Sequence, residues 1–136
     1  MSIEKETIQP DGWAPATGYA NGILARPGKI LFVAGQVGWD ENHRFLSEKL
    51  VPQFEQALKN TLTILAMAGG GPEDICRMTC FCTNKKEYVE GRKELGKIWK
   101  SLLGKNFPAM SMIFVSDLLA SQSLIEIETT AVIAEE

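Results

Sequence analysis

Two stretches of the chain carry apolar residues at intervals of three and four, the spacing that places side chains on one face of a helix. In residues 48–68 these positions are Leu50, Phe54, Leu58, Leu62 and Leu65. In residues 87–103 they are Tyr88, Leu95, Ile98, Trp99 and Leu102. Glycine follows each stretch, at residues 69–71 and at Gly104, where a helix stop is expected. The pattern therefore predicts two amphipathic helices.

Five shorter runs, rich in β-branched, aromatic and other apolar residues, predict strands. They cover residues 18–24, 30–34, 75–83, 109–115 and 124–133. Pro27 and Gly28 lie between the first two runs and suit a tight connection, so we expect these two strands to pair as a hairpin. The resulting ββαβαββ order predicts an α+β sandwich in which two helices cover one face of a mixed sheet.

The last two predicted strands indicate that the other face of the sheet needs a partner. Residues 124–133 alternate, with one side formed by Ile125, Ile127 and Ala131 and the other by Glu126, Glu128 and Thr130. In residues 109–115 one side carries Met110, Met112 and Phe114, and the other side is also apolar except at Ser111. A strand of this kind is covered on both faces, and self-association is the simplest source of the second cover.

Composition narrows the possible functions. A chain of 136 residues is expected to form one domain that buries roughly two thirds of its unfolded surface. The net charge is −3, with 14 basic and 17 acidic residues and no polybasic block, which argues against nucleic acid as a partner. Because the first 13 residues are polar and acidic and no apolar run approaches a membrane span, we expect neither a signal peptide nor a membrane partner. We therefore expect a cytoplasmic protein, or a matrix protein if the chain is processed elsewhere.

The cysteines and the histidine do not form the pattern of a metal or nucleophile site. Cys76, Cys80 and Cys82 lie within one predicted strand, at spacings unlike the cysteine and histidine pairs of zinc sites. We expect them to be buried, reduced thiols. His43, the one histidine, lies in a polar loop without a serine or cysteine motif beside it. The sequence implies no metal and no cofactor.

Several motifs, taken in order, carry a resemblance to a known family. They are Gly18-Tyr19-Ala20-Asn21-Gly22, Val33-Ala34-Gly35-Gln36, the helical residues 53–60, Phe107-Pro108-Ala109 and Glu126-Ile127-Glu128. Together they resemble the YjgF/RidA family over nearly the whole chain. The resemblance implies a chorismate-mutase-like fold and a homotrimer whose sheets form a central barrel. It also implies three clefts between neighbouring subunits that receive a small-molecule metabolite.

The resemblance also implies roles for single residues. In members that hydrolyse enamines and imines such as 2-aminoacrylate, an arginine clamps the substrate carboxylate and a glutamate helps to position the attacking water. Glu126 matches that glutamate, Tyr19 matches a tyrosine of the cleft, and Gly35 matches a turn whose N–H helps to hold an anion. Three positions depart from the family pattern: Met110 replaces the arginine, Met112 a frequent cysteine and Ala34 a serine.

The methionine at position 110 has two interpretations. A thioether cannot make the bidentate, charge-assisted bonds of a guanidinium, each of which contributes about 1.5–3 kcal/mol, so a simple 2-imino acid is expected to bind poorly. The cleft would then suit a substrate that is neutral, larger, or held by another cation, for which the candidates are Arg44, Arg77, Arg92 and Lys93. Alternatively, Met110, Met112 and Phe114 only fill core space.

Other candidates also have two readings each. Trp39 could stack on a planar ligand or pack beneath its own loop. Tyr19 could donate a hydrogen bond to a ligand or cap a strand edge, and Glu126 could position water or lie on a solvated strand face. For the whole protein, the hypothesis is an enamine or imine hydrolase with Glu126 as the catalytic residue, and the alternative is a non-catalytic binding or regulatory trimer. An endoribonuclease, a role attached by name to some relatives, is disfavoured by the acidic balance and the single histidine.

Overall fold

The computed structural model describes residues 5–135. Within them, six strands and three helices follow the order β1 (Lys5–Ile8), β2 (Gly22–Ala25), β3 (Lys29–Val37), α1 (Leu50–Met67), β4 (Ile75–Cys82), α2 (Lys85–Glu90), α3 (Arg92–Leu103), β5 (Ala109–Phe114) and β6 (Ile125–Ile133). One turn of 3₁₀-helix, Pro72–Asp74, precedes β4. No helix in this part of the chain combines the length and apolar character that a membrane crossing requires.

The main sheet has the strand order β3-β6-β4-β5. β6 is antiparallel to both of its neighbours, whereas β4 and β5 are parallel. Parallel neighbours need a crossover connection, and α2 and α3 supply it. The predicted α+β class and mixed sheet are therefore confirmed.

The predicted hairpin between the first two strands is wrong. β2 pairs antiparallel with β1 in a separate two-stranded sheet, and β3 pairs with β6 from Lys29 opposite Ile133 onward. The sequence of β1, Lys-Glu-Thr-Ile, has too little alternation of apolar and polar residues to predict a strand. β3 instead joins the main sheet, where its Val33 is buried.

The predicted second helix is divided into α2 and α3 at Gly91, so three helices pack on the sheet where two were expected. The backbone of Gly91, at φ −92° and ψ 3°, leaves helical geometry between them. A Cβ at this position would lie 3.0 Å from a methyl group of Val51 in α1. The glycine thus allows α1 to approach the α2–α3 junction closely.

The helices bury one face of the main sheet and leave the other face open. The buried sheet residues include Met78, Cys80, Ile125, Ile127 and Ala131. The side chains that cover them include Leu58 and Leu65 from α1 and Leu95 and Trp99 from α3. On the opposite face, Phe32 is 76% exposed and Ile113 is 42% exposed. The prediction that one face of the sheet is left open, with an apolar residue of the strand 109–115 on it, is confirmed.

Candidate functional site

A cavity of about 760 Å³ lies beside the edge strand β5. We call it the α3 cavity. Residues of α3 at helical spacing of three and four form one wall: Arg92, Leu95, Gly96, Trp99 and Lys100. The segment around Tyr19 and the loop with Lys105 and Phe107 form other parts of the cavity lining. Apolar surface dominates the cavity, and its cations come from α3 and from Lys105.

Three of the predicted site residues, Tyr19, Met110 and Met112, line the α3 cavity together. Ala20 holds Tyr19 beside β5, because the Ala20 N–H donates to the Pro108 carbonyl at 2.9 Å and Ala20 bridges to Ala109. Both methionines are partly buried against the hydrophobic core while lining the cavity. Filling the core and forming a cavity wall are therefore compatible roles for these side chains.

Ala34, Gly35 and Glu126 form a second cluster, which we call the bulge group. The register of β3 with β6 shifts between Val33 and Gln36, so Ala34 and Gly35 lie in a β-bulge rather than in the turn that the sequence suggested. Both are exposed. A Cβ on Gly35 would lie 2.5 Å from a carboxylate oxygen of Glu126, so only glycine leaves room for that carboxylate. A carboxylate beside an exposed bulge can accept a proton from a bound water molecule.

The bulge group and the α3 cavity lie on different parts of the chain. Met112 pairs with Cys80, and Cys80 with Ile127, so Met112 belongs to the helix-covered face of the sheet. Glu126 pairs with Phe81 on the opposite face. β4 separates β5 from β6, which adds about 10 Å at normal strand spacing. One chain therefore does not bring Glu126 to Met110 and Met112.

Trp39 lies outside both groups. Its ring stacks on His43 with centroids 4.0 Å apart, and it contacts Phe45 at 5.7 Å. The loop is closed by Asp40, whose carboxylate accepts the N–H groups of Asn42 and Arg44, and these bonds hold the pKa of Asp40 below its ordinary value. The ring thus packs within its own loop, and stacking of Trp39 on a ligand stays a prediction.

The structure separates the four candidate cations. Arg92 lines the α3 cavity, whereas Arg77 lines a smaller pocket with Glu128 on the open face of the sheet. Arg44 belongs to the Asp40 loop, and the exposed Lys93 follows Arg92 in α3 without lining the cavity. Sequence reasoning missed Lys100, although its distance of eight residues from Arg92 places both on one helix face.

Tyr88 lines the cavity and Cys80 lies in the core, and burial shifts the pKa of both groups. Burial raises the pKa of Tyr88, and the neighbouring charge of Arg92 partly offsets the increase. Burial also raises the pKa of the Cys80 thiol to about 12. The cysteines are free, and residues 5–135 contain no group of three or more His, Cys, Asp or Glu side chains placed to hold a metal.

Comparisons with known proteins agree with this architecture. The model of the family described as Endoribonuclease L-PSP matches residues 11–133. AldR of Lactococcus lactis, a candidate regulator by name, is 30% identical over 103 residues, which are 75% of this chain and 78% of AldR.

Two solved structures show the same fold. The Rid family protein YyfB of Yersinia pestis, whose function is unknown, has a TM-score of 0.86 at 28% identity and covers 95% of this chain and 98% of its own. RidA of an Antarctic Psychrobacter species has a TM-score of 0.67 at 26% identity, over 94% of this chain and 99% of its own. With a family model that covers nearly the whole chain and these Rid neighbours, the chain belongs to the YjgF/RidA family.

Proposed function

We propose that the chain forms a homotrimer that hydrolyses an enamine or imine in clefts between neighbouring subunits. In each cleft, one subunit contributes the α3 cavity with Tyr19, Met110 and Met112. Its neighbour contributes the bulge group with Gly35 and Glu126. Two copies are required because the two groups lie on opposite faces of the sheet within one chain.

The observation that carries this proposal is the position of Glu126 against Gly35. The missing Cβ of Gly35 leaves space for the carboxylate, and the bulge removes the adjoining backbone from the register of the ladder. Bulges often re-aim groups next to active sites. This arrangement supports a carboxylate that binds and orients water rather than one that serves only as a solvated surface charge.

The proposed reaction is addition of water to the imine carbon. The water oxygen forms a bond to that carbon while the Glu126 carboxylate accepts a proton from the water and the imine nitrogen takes up a proton from solvent, which gives an amino alcohol. Glu126 then returns its proton to the amino group, the carbon–nitrogen bond breaks to release ammonia, and the hydroxyl loses its proton to solvent to leave a carbonyl. An enamine enters the same path after its tautomerisation to the imine. The exposed bulge at Gly35 supplies backbone that can hold an oxygen of the substrate.

Because Met110 carries no charge, we do not propose 2-aminoacrylate as the substrate. The side chain lines the α3 cavity with a neutral, adaptable surface where catalytic relatives place a cation. The substrate is therefore expected to differ from that of the arginine-containing members in size, or in where its charge is held.

The test measures ammonia release from 2-imino acids generated in situ, after subtraction of the rate without protein. The native protein is compared with Met110→Arg and with Met110→Arg/Glu126→Gln. We expect little acceleration of the smallest imino acid by the native protein, and a gain with Met110→Arg that is lost again in the double variant. If the native protein turns over the smallest imino acid rapidly, the proposed effect of Met110 on substrate specificity is wrong.

A binding or regulatory trimer without turnover is the second candidate, because Met110 removes the expected cation from the cleft. This candidate predicts that a metabolite binds equally well to the native protein and to Glu126→Gln, and that neither protein releases ammonia from any imine. The endoribonuclease of the family description predicts RNA cleavage that persists through purification. The net charge of −3 disfavours it.

A further inference from the structure

Three cations of the α3 cavity, Arg92, Lys100 and Lys105, have no carboxylate partner within the described chain. An ion pair of Lys59 with Glu55 lies on α1, away from this cavity. The three side chains are exposed to solvent, and positive charges that line one cleft raise the local concentration of anions. The charge of this cavity therefore matches an anionic ligand.

Trp99 forms a buried part of the cavity wall. Its side chain lines the cavity and is only 6% exposed, yet its indole N–H has no hydrogen-bond partner among residues 5–135. Buried polar groups in proteins are nearly always paired. Because this nitrogen is itself inaccessible to solvent, a ligand in the open cavity does not reach it, and the N–H adds no argument about the ligand.

The remaining surface suits a flat apolar body. The Phe107 ring lies nearly parallel to Trp99, with an interplanar angle of 5° and centroids 6.1 Å apart. The thioethers of Met110 and Met112 line the same space. Gly96 keeps it open, since a Cβ there would meet no atom within 4 Å. A volume of about 760 Å³ is far larger than a three-carbon acid requires.

We propose that the α3 cavity binds a carboxylate with an aromatic or similarly large apolar body. Arg92 pairs with the carboxylate, and the rings of Trp99 and Phe107 pack against the apolar body. The inference rests on the proposed function for the reaction and adds the substrate class, which is a 2-imino acid with a bulky apolar side chain. Arg92 thus takes over on α3 the charge pairing that Met110 cannot provide on β5.

Binding to the full-length chain is measured by isothermal titration calorimetry with three stable probes. The first, 3-phenylpropanoate, has both the ring and the charge. The second, 3-phenylpropanamide, lacks the charge, and propanoate lacks the ring. We expect 3-phenylpropanoate to bind about tenfold or more tightly than either of the others, since each of them loses one part of the recognition.

Two variants and a matched control locate the site. Arg92→Gln should weaken binding of 3-phenylpropanoate about tenfold or more, while Lys93→Gln removes the same charge outside the cavity and should change it less than twofold. Gly96→Leu should block binding while leaving the melting temperature equal or higher, because its side chain enters open space and leucine favours helix.

The results separate this inference from the proposed function. Equal binding of propanoate and 3-phenylpropanoate, or equal losses for Arg92→Gln and Lys93→Gln, would overturn the inference. If 3-phenylpropanoate binds as expected but no imino acid is turned over, only the proposed hydrolysis fails. If small imino acids are turned over in a Glu126-dependent way and 3-phenylpropanoate does not bind, only the inference fails.

Discussion

Gly35 is a single residue whose lack of a side chain shapes the candidate site. A Cβ at this position would come within 2.5 Å of the Glu126 carboxylate, which is the flexible end of its side chain. Gly35→Ala should therefore displace that carboxylate while changing the unfolding free energy by less than about 1 kcal/mol. We expect imine hydrolysis to fall at least tenfold, measured as kcat/KM, with little change in melting temperature.

A matched glycine keeps this test specific. A Cβ on Gly22 would meet its nearest neighbour, Ile8, at an ordinary 3.5 Å. Gly22→Ala should thus leave both activity and stability near their native values. An active Gly35→Ala protein would show that the bulge tolerates a side chain without moving Glu126, and the proposed role of this contact would fail.

Cys80 gives a prediction about stability at alkaline pH. Burial raises the pKa of its thiol from 9.0 to about 12, so the folded protein keeps this proton over a range in which the unfolded chain loses it. The stabilising contribution is complete below pH 9 and is lost progressively as the pH rises toward 12. The unfolding free energy should decrease by up to about 1.4 kcal/mol per pH unit from this group.

The measurement compares native protein with Cys80→Ala by urea unfolding between pH 8 and 10.5. The variant carries a constant cavity cost, so the informative quantity is the change with pH of the difference between the two free energies. That difference should shrink as the pH rises. Parallel curves would mean that the buried thiol ionises as easily as an exposed one.

At the scale of elements, α1 is tied to two loops by one buried amide. Gln53 donates to the carbonyls of Ser47 and Gln122 at 2.9 and 3.0 Å, and it accepts the Leu124 N–H at 2.8 Å. Its burial is nearly complete, at 1% exposure. These bonds fix the start of β6, the strand that carries Glu126.

Gln53→Leu should destabilise the protein strongly. The substitution keeps the size of the side chain but leaves the buried Leu124 N–H and two carbonyls without their partner. The unpaired N–H alone should lower the unfolding free energy by about 1–3 kcal/mol. Gln56→Leu is the control, because Gln56 is partly exposed on the same helix and donates only to Asn60. Urea unfolding with an unchanged m-value should show the loss for Gln53→Leu and about 0.5 kcal/mol or less for Gln56→Leu.

Element type was predictable from this sequence where one face of an element is buried. The stripe from Leu50 to Leu65 placed α1 within two residues at either end, and the alternation of Ile125 and Ile127 placed β6. The pairing of strands was harder to predict than their type, because alternation indicates that a strand has a buried face but does not indicate which strand lies beside it. β1 and the break at Gly91 were missed for local reasons, a polar strand and a glycine that serves helix packing.

The sequence indicated which residues to consider for the site, whose roles stay predictions, and it did not indicate their geometry. Tyr19, Met110 and Met112 do meet in one cavity, and Gly35 does lie against Glu126. The sequence could not show that these two groups are on opposite faces, because that depends on strand order. Trp99 was expected only as a core residue of a helix stripe, since nothing in the sequence reveals that its N–H is left without a partner.

At the scale of the whole molecule, the open face of the sheet should govern assembly. Phe32 is 76% exposed on that face, so burial by other subunits should stabilise a trimer. Phe32→Glu should convert the assembly to monomers by placing a charge in the interface. Sedimentation velocity should give three times the chain mass of 15.0 kDa for native protein and the single mass for the variant.

Met67 supplies the matched control for this measurement. It is an exposed apolar residue of the same kind, 86% accessible, but it ends α1 and lies away from the open face. Met67→Glu should leave the sedimentation coefficient unchanged. A native protein that sediments as a monomer would contradict the trimer and, with it, a cleft built from two subunits.

The separation of the α3 cavity from the bulge group on one chain has a consequence for mixed assemblies. Chains with Gly96→Leu keep Glu126, and chains with Glu126→Gln keep the cavity, so each variant lacks a different half of the cleft. When the two inactive proteins are dissociated, mixed in equal amounts and reassociated, about one cleft in four should receive two intact halves. Activity would then reappear by intersubunit complementation, and exchange of subunits would be enough to turn it on.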